Sequence, residues 1–171
     1  MLDLLLEGPW LRFTLLVLVA LTVQLGVLAE FRVAGATGDV MMLLALVAGL
    51  AGGPRRGGVA GFVVGLVFDL VLLSPFGVTA LTYCLLGYAL GFVPGEFVRG
   101  AFWVPPLIVF GASAVGTVFY VAMETVFGQE GIFTPHVVPM ALVVAVINAL
   151  LAPIAFRGTR WALLGGDRQR V

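Results

Sequence analysis

Apolar residues fill the chain in six runs, and each run is closed by a short polar, glycine-rich or proline-rich break. The runs cover about residues 10–29, 39–53, 58–73, 76–93, 104–127 and 135–156. The first ends at Glu30-Phe31-Arg32, and Asp39 opens the second after a short Gly/Ala/Thr link. Gly52-Gly53-Pro54 closes the second, and Arg55-Arg56 is expected to form a tight loop. Ser74-Pro75 stops the third run, and Pro94-Gly95 stops the fourth. Pro105-Pro106 can open the fifth, because first-turn amides have no helical partner to lose. Pro139 and Pro153 bracket the sixth.

A membrane-crossing helix uses about 20 residues, so six of them take about 120 and leave about 50 for ends and loops. That remainder holds no soluble catalytic domain. The pattern therefore predicts an all-α integral membrane protein, one six-transmembrane-helix domain over residues 1–171 with a short polar tail at 157–171. Composition agrees. The chain is 61% hydrophobic and 11% charged, against roughly 45–50% and 25% for soluble domains. So few charges could not cover the surface of a globule in water. The first charges are Asp3 and Glu7 rather than a basic cluster, so the first run reads as an uncleaved helix.

All nine basic residues are arginine, and their placement predicts orientation. With the N-terminus inside, Arg12, Arg55, Arg56, Arg99, Arg157, Arg160, Arg168 and Arg170 lie on the cytoplasmic side and only Arg32 lies outside. Loops rich in arginine stay cytoplasmic. Both termini are thus expected in the cytoplasm. The formal net charge is +0, which argues against nucleic acid as a partner.

Within apolar runs, function is sought at residues that are expensive there. Gly57, Gly61, Gly65 and Asp69 recur every four residues, so they share one face of a helix. Glycines so spaced let another backbone approach closely, either inside the bundle or from a partner. Gly87, Gly91 and Gly95 repeat the device along the fourth run, and Ala45, Gly49 and Gly53 in the second. Asp69, on the glycine face, either carries a proton or finds polar partners. Thr79, Thr82 and Tyr83 are the candidates. Asp39 reads as a helix N-cap. Ser113, Thr117, Tyr120 and Glu124 form a polar line on the fifth run, Gln24 and His136 lie at similar depth, and Asn148 is expected to bond between helices.

Catalytic patterns are weak. One histidine and one cysteine, Cys84, leave no Cys/His metal set and no disulfide, and the chain has neither lysine nor a G-x-S-x-G elbow. Phe68-Asp69 and Gly38-Asp39 match the paired motifs of intramembrane aspartyl proteases imperfectly and in reversed order. No catalytic residue, metal or cofactor is expected.

Gly61-Phe62-x-x-Gly65-Leu66-x-x-Asp69, followed by Phe76-Gly77-Val78-x-Ala80-Leu81, resembles the central signature of the MreD family of rod shape-determining proteins. The chain length, the Gly/Asp opening of the second run and the Arg-Arg pair before the third are similar too. The resemblance is specific over about residues 39–90; Gly38 departs from it, since the family often has proline there. It implies a non-enzymatic scaffold of the bacterial elongation machinery. The partners implied are the transmembrane helix of MreC and, indirectly, MreB, RodA and a class B penicillin-binding protein, in support of lateral peptidoglycan synthesis. Gly77 joins the candidate packing and partner residues on this ground. The implied fold is similar to the substrate-binding subunits of energy-coupling-factor transporters, so a vitamin or solute transporter subunit is the alternative. A groove lined by the glycines is the expected dock for MreC.

Overall fold

The computed structural model describes residues 9–28, 38–71, 76–127 and 137–164. Among them, all regular structure is helical. Helix α1 (Pro9–Val23) runs into a π-helical turn (Gln24–Leu28), followed by α2 (Val40–Asp69), α3 (Val78–Leu90), a short α4 (Gly95–Gly100), α5 (Val104–Val126) and α6 (Val137–Leu164). Arg32, His136, Arg168 and Arg170, and the expected turn at 128–134, lie outside the described residues.

The second and third apolar runs fall in one element, α2, which reverses sharply at Gly53. Gly53 has φ 79°, a left-handed backbone that suits a residue without Cβ. Pro54 follows with its fixed φ and no N–H to satisfy, as befits the first residue of a helix. The tight loop expected at Arg55-Arg56 is therefore reduced to a single glycine, and both arginines sit in the first turn of the second arm. The two arms lie side by side: a Cβ added to Gly57 would stand 2.5 Å from the Cα of Gly49. The second arm ends at Asp69 rather than at 73.

The first arm is the centre of the molecule. Each residue from 41 to 50 is buried, so this helix is apolar on all sides and needs cover on all sides. The second arm, α3, α5, α6 and α1 supply it. The outer helices are one-sided. On α5, Pro105, Val109, Ser113, Gly116, Thr117 and Val121 face inward, while Leu107, Val115 and Val126 are exposed. On α6 the exposed stripe is Val138, Leu142, Val146, Leu150 and Ile154. The outer faces of these two helices are thus apolar. Two helices, α5 and most of α6, are long and apolar enough to cross a membrane; α3 and each arm of α2 rise only about 20–24 Å.

Candidate functional site: the polar cluster and the glycine seam

The start of α2 is buried, so its orphan amides need partners inside the protein. Asp39 caps the helix with one carboxylate oxygen, accepting from the Met42 amide at 2.8 Å. The other carboxylate oxygen accepts from the hydroxyl of Tyr83 on α3. Gln24, the first residue of the π-helical turn, bridges the chain just ahead of the cap. Its Nε2 donates to the Gly38 carbonyl at 3.0 Å, and its Oε1 accepts from the Val40 amide at 2.9 Å. Asn148 of α6 closes the ring: its Oδ1 accepts from the Asp39 amide, and its Nδ2 donates to Ser113 Oγ on α5, both at 3.1 Å. Side chains from the π-helical turn, α3 and α6 thus converge on one helix terminus, with Ser113 of α5 held behind Asn148.

Asp69 does the equivalent work for α3. Gly77 at the head of α3 has φ 96° and no side chain to cap with. Asp69 Oδ2 accepts from the amides of Gly77 (2.9 Å) and Ala80 (3.1 Å) instead. This corrects the expected partner set of Thr79, Thr82 and Tyr83. Tyr83 is engaged with Asp39, and the buried hydroxyls of Thr79 and Thr82, like Asp69 Oδ1, have no hydrogen-bond partner among the described residues. The reason is geometric: Asp69 ends one helix where α3 begins, and unpaired amides lie closer than side chains one turn on. Gly77 serves the turn rather than close packing, since a Cβ there would meet nothing within 4 Å.

The remaining glycines form a seam between α2 and α3. A Cβ at Gly61 would run into the Tyr83 carbonyl, and one at Gly65 would stand 2.5 Å from Ala80 Cα and 2.7 Å from Thr79 O. Gly49 and Gly57 both press on the carbonyl of Gly87, and Gly91 presses on Pro54. The expected glycine-lined dock for a partner helix is therefore occupied by the chain's own α3. Three backbones meet where side chains would hold them apart, so these positions serve internal packing.

Between the cluster and α5 lies a cavity of about 210 Å³, lined by Gln24, Gly38, Asp39, Met42, Phe68, Tyr83, Thr117, Tyr120, Met140 and Val144. Glu124 is not part of it. It accepts from Tyr120 at 2.7 Å, one turn away on α5, which separates it from Asp39 and Tyr83. No group of three His, Cys, Asp or Glu suited to a metal occurs among the described residues. What the arrangement can do chemically is hold helix ends in register. The sequence marks Gln24 only as a lone amide in an apolar run, which does not specify its bridge to Gly38 and Val40.

A helical protein with paired polar groups at its centre and apolar side chains on its outer faces has the construction of a membrane protein. Residues 6–157 match the family described as rod shape-determining protein MreD, and the chain belongs to that family. Its role is in rod shape determination, within a shape-determining complex at the membrane. Comparison with curated proteins and with solved structures gives no match.

Proposed function

We propose that this chain is a multi-pass protein of the bacterial cytoplasmic membrane, with both termini inside, that scaffolds the elongation complex. It binds the transmembrane helix of MreC and supports lateral peptidoglycan synthesis without catalysing a step itself. The observation that carries this reading is the pairing of the buried polar cluster. Asp39, Gln24, Asn148 and Tyr83 are each bonded to groups of the same chain, so they are committed to holding helices together. The apolar exposed stripes of α5 and α6 favour a lipid-facing exterior, because soluble proteins rarely expose contiguous apolar area on this scale. With the glycine seam filled by α3, MreC's helix docks on an outward face.

The transporter-subunit reading draws on the cavity beside Asp39. At about 210 Å³ it is smaller than the roughly 300–1,000 Å³ of typical small-molecule sites, and the scaffold reading is preferred. Co-purification of the tagged chain from native membranes, followed by mass spectrometry, separates the two. Recovery of MreC is the expected result. Recovery of an energy-coupling ATPase module with a bound vitamin would replace the scaffold by the transporter.

A further inference from the structure

We propose that a second cavity, at the arginine-rich end of the bundle, binds the phosphate headgroup of an anionic phospholipid. The site is distinct from the polar cluster around Asp39, and it rests on the membrane reading above. Its volume is about 280 Å³, and its walls include Gly53 at the reversal of α2, Gly91 at the end of α3, Gly95 and Val98 of α4, and Phe156 and Arg160 of α6. Three of these six lack a side chain, which leaves room and brings backbone to the cavity surface.

Arg160 supplies the charge. Its guanidinium lies 5.7 Å from the centre of the Phe156 ring, and no carboxylate stands within ion-pair distance among the described residues. A guanidinium placed by an aromatic face, with no carboxylate in reach among the described residues, presents its planar fork to an incoming anion, and that fork matches two phosphate oxygens. Other arginines reinforce the field. Arg55 and Arg56 follow Gly53-Pro54, and a Cβ on Gly52 would stand 3.3 Å from Arg56 Cδ, so this stem lies over the bend. Arg12 stacks 5.4 Å from the ring centre of Trp161. Asp39 and Asp69 sit at the far ends of the two arms of α2; the carboxylate described at this end, Glu96 of α4, is exposed and does not line the cavity.

Depth distinguishes a lipid phosphate from a dissolved one. Phe97, Trp103 and Trp161 flank this end and are 66%, 58% and 57% exposed. Exposed aromatic rings collect at the boundary between acyl chains and water. The cavity therefore opens at headgroup level, where an anionic lipid is already concentrated.

The full chain in nanodiscs of phosphatidylcholine, with phosphatidylglycerol added in steps, provides the test through native mass spectrometry of retained lipid. Wild type should retain phosphatidylglycerol preferentially, and Arg160→Gln should weaken that preference by about tenfold. Arg160→Lys, which keeps charge but loses the fork, should fall between them. Arg157→Gln alters an exposed arginine on the same helix that does not line the cavity, and should behave as wild type. Equal losses for Arg157→Gln and Arg160→Gln would reduce the effect to general surface charge and overturn the site. Displacement of the lipid by millimolar inorganic phosphate would assign the cavity to a soluble anion. A chain that enters nanodiscs but holds both lipids equally sinks the headgroup site alone, whereas a chain that does not enter them sinks the membrane reading as well.

Discussion

Tyr83 donates its hydroxyl to the carboxylate of Asp39, across 44 positions of sequence, and so ties the middle of α3 to the first turn of α2. Tyr83 is 2% exposed and Asp39 is half-buried, so the hydroxyl has no bulk water as an alternative. Tyr83→Phe should therefore destabilise the protein by about 1–3 kcal/mol, the worth of a hydrogen bond to a carboxylate. Asp39→Ala should do more, because it also removes the cap on Met42, a further ~1 kcal/mol. A double-mutant cycle followed by reversible unfolding in detergent measures the coupling. A coupling indistinguishable from zero would mean that the bond does not hold the two helices together.

Asp69 is expected to tolerate asparagine and not leucine. Asparagine keeps an oxygen for the Gly77 and Ala80 amides, whereas leucine leaves both unpaired at about 1–3 kcal/mol each. Unfolding midpoints, MreC co-purification and cell width should follow the same order. An asparagine variant that folds normally yet loses MreC and rod shape would show that the carboxylate's charge is needed, and the scaffold role of Asp69 would fail.

The glycine seam separates positions that look alike in sequence. Gly61→Ala should be destabilising by about 1–3 kcal/mol, as expected when a tightly packed contact is overfilled, because its Cβ meets backbone of α3 that cannot rotate away. Gly58→Ala should be tolerated, since its Cβ would meet Tyr88 at an ordinary 3.5 Å. Equal behaviour of the two variants in thermal unfolding would remove the seam as a determinant of packing. Leucine at Gly61 or Gly65 should abolish accumulation of folded protein.

Orientation can be read with single cysteines on a Cys84→Ala background. Arg56→Cys, at the bend of α2, should react with an impermeant thiol reagent only from the cytoplasm. Phe127→Cys, 57% exposed at the end of α5, should react only from outside. Labelling of position 127 from the cytoplasm would invert the topology.

The sequence by itself determined the helical class, the apolar exterior and the family, and the reason is that each is a local or summed property. Six apolar runs with so few charges leave little besides helices, and the Gly61-to-Leu81 signature is contiguous in the chain. The cap at Asp39 is local as well, since Met42 lies three residues on. Tertiary structure decided which surfaces meet. The periodicity of Gly57, Gly61 and Gly65 marks a face for close approach but carries no label for the approaching backbone, and only folding shows it to be α3 of the same chain. Helix spacing ranks Thr79, Thr82 and Tyr83 as partners for Asp69 because it ranks side chains, while the demand comes from amides at a helix start that has no side-chain cap of its own. Gln24 and Asn148 reach the head of α2 from helices at the two ends of the sequence. Their pairing follows from where a buried helix terminus leaves donors without water, which no single stretch of sequence records.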